Sequence, residues 1–200
     1  DTSAKVVFDD VGFGPAGSFY TPPASSNLLA NPEFEFDRGE WSLVAPGSAS
    51  SYTTWSRDDG YGGVGGSLVL VANAVGDQAG VYQCVNIAAQ RVDLQLYSKV
   101  NYTGGGPNTG AASVSSFDVP DCAGGYIVNR VAPVVSADAA GWRRFLLRDY
   151  ALPAATRSAM VFFTVALQDD DATSVSLTAD HFSFGPAEAV PGRLFVDGFE

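Results

Sequence analysis

The fold is decided by residues 92–100, which read Val92-Asp93-Leu94-Gln95-Leu96-Tyr97-Ser98-Lys99-Val100. One parity of this stretch is mainly apolar, whereas the other carries charged, amide and aromatic side chains. A period of two is typical of a half-buried antiparallel β-strand, because successive side chains of a strand point to opposite faces of its sheet. We therefore expect the even-numbered side chains to lie in a core and the odd-numbered ones, including Tyr97, to face outwards.

Comparable stretches follow one another along the chain. Further strands are predicted at residues 67–72, 80–87, 111–117, 142–147, 160–167 and 174–184. Turn-forming clusters separate them, among them Gly62-Gly63 and the three acidic residues at 169–171. The one Ala-rich segment, 137–142, is interrupted by Gly141 and is too short for a convincing helix. The pattern predicts an all-β protein built as a two-sheet antiparallel sandwich.

The strand predicted near the C-terminal end has a second copy near the N-terminal end. Residues 8–16 read FDDVGFGPA and residues 179–187 read ADHFSFGPA, so five of nine positions are identical. Residues 17–27 contain Pro22-Pro23 and small polar residues, which indicate a linker. We therefore divide the chain into an N-terminal strand extension and linker (1–27), a β-sandwich (28–187) and a C-terminal tail (188–200).

Composition and charge restrict the function. The chain has a net charge of −11, and only 16% of its 200 residues are charged. Nucleic acids and anionic membranes bind proteins through clustered Lys and Arg side chains, so neither is expected as a partner. Membrane insertion is not expected either, because no apolar run reaches the roughly 18 residues of a spanning helix. With Asp1-Thr2-Ser3 interpreted as a start left by signal-peptide cleavage, we expect a secreted, extracellular or cell-surface protein.

The two cysteines, Cys84 and Cys122, are 38 residues apart, and neither belongs to a Cys-x-x-Cys pair. The single histidine, His181, is distant from both in sequence, which argues against a zinc site and against a catalytic thiol with a neighbouring base. In an exported protein the pair is expected to form one disulfide.

Six short motifs occur in order between residues 28 and 187. They are N-P-x-F-E with a following Trp (31–35 and 41), G-x-S-L (65–68), a Gln-containing strand (81–85), the alternating strand (92–100), G-W-x-R-F (141–145) and an Asp-led closing strand (179–182). Together they resemble the jelly-roll carbohydrate-binding modules typified by families 4, 9 and 22, which have a galactose-binding-like β-sandwich. The resemblance implies a jelly-roll fold and a non-catalytic extracellular module that binds polysaccharide.

The resemblance also implies a structural Ca²⁺, because members of these families often hold one where the opening strand meets the closing strand. Carried over to this chain, the ligands would be Glu35 and Asp180, with backbone carbonyls completing the shell. Asp180 shares its strand parity with Phe182 and Phe184, so its carboxylate is expected on the side of the core. His181 stands where the families have a second Asp, which removes one oxygen ligand.

Sugar binding needs exposed aromatic rings for stacking and amide or carboxylate groups for the hydroxyls. The candidates by parity or by position beside Gly-rich turns are Trp55, Tyr61, Tyr97, Tyr102, Gln95 and Asn101. The alternative interpretation is that these rings cover sheet edges or line a protein contact. Trp41 and Trp142 are expected to be core residues.

No arrangement of residues points to catalysis. A glycosidase requires two carboxylates across a cleft, and no acidic pair here stands apart from the turn acids. The sequence has no Gly-x-Ser-x-Gly nucleophile elbow. The chain is therefore expected not to be an enzyme.

A different function remains open because of the repeated strand. In a structural subunit, the strand with Val6, Phe8, Val11 and Phe13 would leave its own domain and pair with the sheet of the next molecule. Such head-to-tail strand exchange would build a homopolymer through residues 1–16, for example an extracellular filament. The same segment would also fit the last strand of a preceding tandem domain.

Overall fold

The computed structural model describes residues 27–187, except for residues 47, 64, 104–108, 134–140 and 168–173. The N-terminal extension, with the proposed assembly strand Val6, Phe8, Val11 and Phe13, lies outside the described residues, and so does the C-terminal tail. The predictions of strand exchange and of a separate linker and tail therefore stay predictions.

The described residues form ten strands and two single-turn 3-10 helices. The strands are β1 (Ser42–Val44), β2 (Tyr52–Ser56), β3 (Ser67–Ala72), β4 (Gln78–Asn86), β5 (Arg91–Thr103), β6 (Thr109–Phe117), β7 (Tyr126–Pro133), β8 (Arg143–Ala151), β9 (Ser158–Ala166) and β10 (Ser174–Pro186). The 3-10 turns span Tyr61–Gly63 and Pro120–Cys122. Across these residues the structure contains no helix that is long and apolar enough to cross a membrane.

The strands form two five-stranded antiparallel sheets, confirming the predicted all-β jelly-roll sandwich. The first sheet has the order β1-β4-β9-β6-β7, and the second has the order β2-β3-β10-β5-β8. The predicted strand 67–72 is β3, and the alternating stretch 92–100 lies within β5. Three strands were not predicted, namely β1, β2 and β7.

The core lies between the two sheets and is built by the parity that the sequence predicts. Val92, Leu94 and Leu96 are fully buried against the inner side chains of the first sheet. The largest buried side chains form an aromatic cluster around Phe182, whose ring lies 5.5 Å from Phe34, 5.1 Å from Trp41 and 5.4 Å from Phe163. Phe34 and Trp41 belong to the N-P-x-F-E…W motif, which therefore packs its aromatic side chains into the core between the sheets.

A β-bulge interrupts β10 at residues 180–183. Asp180 pairs with Tyr97 and Ser183 pairs with Gln95, so the chain gains one residue between these pairs. His181 adopts a positive φ of 52°, which turns the strand there. Phe182 consequently points into the core, whereas Asp180 lies on the outer face of the second sheet beside Tyr97. The prediction that Asp180 faces the core was wrong, because the extra residue breaks the parity on which it rested.

The predicted disulfide is confirmed. Cys84 of β4 is bonded to Cys122 in the 3-10 turn that follows β6. The backbone N–H of Cys122 also donates a hydrogen bond to the Ser158 hydroxyl, which ties the turn to β9. The bond therefore joins two distant segments at one end of the first sheet.

Candidate functional site

The outer face of the second sheet carries a group of aromatic and polar side chains. Its middle is Tyr97 of β5, which pairs with Asp180 of β10 on one side and with Arg144 of β8 on the other. The neighbouring odd-numbered residues of β5, Gln95 and Lys99, share this face because the side chains of a strand alternate. The stretch that decides the fold therefore also supplies the centre of the candidate site.

Residues 57–63, which we call the covering loop, lie over this face. The ring of Tyr61 stacks on the ring of Tyr97 with centroids 3.9 Å apart. The Tyr61 backbone N–H donates to Oδ2 of Asp180 at 2.8 Å, and Asp59 forms an ion pair with Lys99. These three contacts hold the loop on the sheet and leave Asp180 only 2% exposed although it lies on an outer face.

Four rings come together on this face, and we call Tyr61, Tyr97, Trp142 and His181 the aromatic group. Tyr61 meets Trp142 and His181 edge to face, with centroids 5.7 and 5.4 Å apart. Lys99 Nζ lies 5.2 Å from the centroid of the Trp142 ring, which is a cation–π distance. The expectation that Trp142 belongs to the core was wrong, because its ring is half-buried on the outer face, immediately before β8.

Asp180 is the most perturbed carboxyl group on this face. Burial raises its pKa to about 6, and the negative charge of Glu33 acts in the same direction. The backbone N–H groups of Tyr61 and His181, each donating at 2.8 Å, partly offset this rise in the pKa. Glu33 itself forms an ion pair with Nδ1 of His181. The ionised form of Asp180 is therefore unfavourable, and a nearby cation would stabilise it.

Arg144 and Gln95 form the polar side of the group. Nε and Nη2 of Arg144 both donate to Oε1 of Gln95, at 3.1 and 2.5 Å. Gln95 is only 8% exposed, whereas Arg144 is exposed. A buried amide thus fixes the orientation of an exposed guanidinium beside Tyr97.

The structure brings together three of the six sugar-binding candidates: Tyr61, Tyr97 and Gln95. Trp55 lies elsewhere, packed against the core with Nε1 donating to the Phe34 carbonyl oxygen at 2.5 Å. Asn101 and Tyr102 belong to β5, but their side chains lie outside the described part of the structure.

Sequence reasoning missed Trp142, His181, Arg144 and Lys99 as members of the site. Lys99 shares the parity of Tyr97, so alternation alone could have placed it on the outer face. Trp142 and Arg144 lie in the same Gly-Trp-Arg-Arg motif, in which the adjacent arginines were a signal of exposure. His181 depends on the bulge, for which the sequence offers no local marker.

The residues nominated for calcium fit a cation only in part. The carboxylate of Asp180 is a suitable ligand, because its burial raises the pKa and disfavours its ionised form, which a bound cation would stabilise. Glu35 is exposed, and its carboxylate lies against Gly65. In the described segments no three His, Cys, Asp or Glu side chains converge as a metal site. Backbone carbonyls would therefore have to supply most of the oxygen shell.

Several solved structures resemble this sandwich. One is the enzymatically active domain of tailspike protein 4 of bacteriophage CBA120, with 18% identity and a TM-score of 0.60 over 80% of this chain. The chain spans only 21% of that tailspike chain. The module TmCBM61, solved in complex with β-1,4-galactotriose, has 13% identity and a TM-score of 0.55, covering 80% of this chain and 98% of its own.

A third structure is the C-terminal family 22 carbohydrate-binding module of Clostridium thermocellum Xyn10B. It has 16% identity and a TM-score of 0.54, and the match covers 85% of this chain and all of that module. The fold is that of carbohydrate-binding modules. No protein-family model and no curated protein sequence matches the chain. At these identities the likeness to carbohydrate-binding modules establishes the fold alone, so a function must be argued from the site.

Proposed function

We propose that this chain is a non-catalytic module of a secreted or cell-surface protein and binds a polysaccharide on the outer face of its second sheet. The observation that carries the proposal is the aromatic group, which gathers four rings beside the polar pair of Arg144 and Gln95. Sugar rings stack on aromatic faces through their C–H groups, and amide and guanidinium groups bind their hydroxyls. The shared fold of modules such as the galactotriose-bound TmCBM61 supports the same function.

The acidic groups on this face support a binding role more than a catalytic one. Glu33 is paired with His181, and Asp59 is paired with Lys99. Asp180 has the raised pKa that a general acid needs, but it is buried beneath Tyr61 and accepts two backbone N–H groups. These three carboxylates are therefore engaged within the protein.

Replacing Tyr97 by alanine is expected to abolish the retardation of the protein in polysaccharide-containing native gels. The reason is that Tyr97 lies at the centre of the face and supports Tyr61, so the variant loses two stacking surfaces. Removal of one such aromatic contact weakens binding by about 1–3 kcal/mol, or about 5- to 150-fold. The measurement is gel retardation across a broad panel of glycans.

Tyr126→Ala is the matched control, because Tyr126 is 61% exposed on β7 of the first sheet. The control is expected to bind as strongly as the original protein. If Tyr97→Ala kept full retardation, or if no glycan in the panel retarded the original protein, the proposed function would be wrong.

We further propose that the module binds one structural Ca²⁺ through Asp180 and Glu35. Calcium would relieve the unfavourable burial of the Asp180 carboxylate, so the melting temperature at pH 7 is expected to rise when Ca²⁺ is added to chelator-treated protein. Ca²⁺ at about 100 times its Kd would stabilise the fold by about 2.7 kcal/mol. The measurement is thermal unfolding followed by circular dichroism.

Asp180→Asn is expected to remove the response to calcium, whereas Asp58→Asn, a change at an exposed residue of the covering loop, should keep it. A melting temperature that is the same with calcium and with chelator would rule out the site.

A further inference from the structure

The strand at one edge of the candidate site concentrates positive charge in a chain that is otherwise acidic. The protein has 11 Lys and Arg against 22 Asp and Glu, yet three arginines, Arg143, Arg144 and Arg148, fall within the nine residues of β8. β8 is the edge strand of the second sheet and lies next to β5, which carries Tyr97. From this juxtaposition we propose that the ligand is an acidic polysaccharide, whose uronate carboxylates pair with Arg144 and Arg148 of β8. The inference rests on the proposed function and specifies the ligand class.

The arginines of β8 differ from other cations of the sheet in having no carboxylate partner among the residues that the structure describes. Lys99 is paired with Asp59, and Arg91 forms a bidentate ion pair with Asp149. Arg143, Arg144 and Arg148 are all exposed, and none of them forms an ion pair with a described residue. Arg144 pairs with Tyr97 and shares its face, whereas the adjacent Arg143 pairs with Ser98 and points to the opposite face. The charge of Arg144 is therefore the one placed for a ligand at the aromatic group.

Arg144 is oriented for a carboxylate. Gln95 accepts from Nε and from one N–H of Nη2, so the outer end of the guanidinium, with the N–H groups of Nη1 and the second N–H of Nη2, stays open. Two parallel N–H groups at that end match the two oxygens of a carboxylate. Because Gln95 is buried, the guanidinium group of Arg144 is held in this orientation before a ligand binds.

The position of Arg144 relative to the aromatic group fits a hexuronate unit. Arg144 is the direct cross-strand neighbour of Tyr97, and directly opposed side chains in antiparallel strands have their Cβ atoms about 4.5–5.5 Å apart. A sugar ring bound against the stacked pair of Tyr61 and Tyr97 would therefore place an attached carboxylate within reach of the guanidinium. Glu33 contacts His181, Asp59 is paired with Lys99, and Asp180 accepts two backbone N–H groups, so the acids beside the aromatic group are engaged within the protein.

The test compares acidic polysaccharides with neutral forms of the same chains. Alginate, polygalacturonate and hyaluronan are each paired with the carboxyl-reduced polymer, and dextran sulfate serves as a sulfate-bearing polyanion. We expect at least one uronate polymer to retard the protein in native gels, its reduced form to do so much less, and added salt to weaken the retardation.

Arg144→Gln is expected to weaken binding to that polymer about tenfold or more, the effect of losing one charge-assisted pair. Arg144→Lys keeps the charge but loses the fork, so it should also bind less tightly. Arg130→Gln makes the same charge change on β7 of the first sheet and should bind normally. Arg148→Gln provides a second test in case Arg144→Gln lowers the melting temperature.

Three results would overturn the inference. Equal retardation by the reduced and acidic polymers, with no effect of Arg144→Gln and Arg148→Gln, would show a neutral ligand and leave the proposed function intact. Binding to dextran sulfate but to no uronate polymer would show that the arginines select sulfate. The absence of binding to any glycan would remove the proposed function together with the inference.

Discussion

Replacing Phe182 by alanine is expected to lower the free energy of unfolding by about 3–5 kcal/mol, the usual cost of truncating a buried aromatic side chain. Phe182 is 1% exposed and is the residue at which the rings of Phe34, Trp41 and Phe163 meet. The cavity left behind would separate the closing strand β10 from the opening N-P-x-F-E motif. Urea denaturation followed by tryptophan fluorescence measures the loss, as a lower midpoint at unchanged slope.

Phe36→Ala is the matched control, since it removes the same side chain from a position that is 87% exposed. Its effect is expected to stay within about 0.5 kcal/mol. If both variants were destabilised equally, the position of Phe182 in the core would be wrong.

Removing the disulfide through the double change of Cys84 and Cys122 to alanine is expected to cost about 3–4 kcal/mol. The bond closes a loop across 38 residues, and in the chain-entropy model its loss gives the unfolded chain more conformational freedom. The measurement is the shift of the urea midpoint between the original protein and the double variant.

Two comparisons make the disulfide experiment specific. A reducing agent should lower the urea midpoint of the original protein and leave that of the double variant unchanged. Binding to glycan should be kept at low temperature, because the disulfide lies in the first sheet and the aromatic group lies on the second. A double variant as stable as the original protein would contradict the expected contribution.

The core was predictable because alternation within one strand is a local pattern. The disulfide was predictable because the sequence leaves it little choice of partners. The alternation of residues 92–100 reports which side chains of one strand are buried, and the structure buries Val92, Leu94 and Leu96 as expected. With only two cysteines, a disulfide had a single possible pairing. β7 was not predicted because its described side chains, at residues 126–130, are mostly exposed and show no clear apolar parity.

The candidate site was only partly predictable because it is assembled across several strands. Tyr97 and Gln95 could be placed by parity within one strand, but the stacking of Tyr61 on Tyr97 depends on how the covering loop folds back. The expectation that Trp142 lies in the core had no pattern behind it, and only the contacts with Tyr61 and Lys99 reveal its position. Contacts between residues so far apart leave no periodic pattern in a single sequence.

The bulge in β10 changes which residues of the closing strand face the core. Before His181 the odd-numbered residues Val175, Leu177 and Ala179 fill the core, whereas after it the even-numbered Phe182 and Phe184 do so. Deleting this single residue would remove the bulge and leave Phe182 and Phe184 on the inner face, because they would then continue the alternation of the residues before it. A residue lost from the regularly paired part of β10 would instead turn a core side chain outwards, so natural variants of this strand should lose a residue at position 181 more readily than at its other positions.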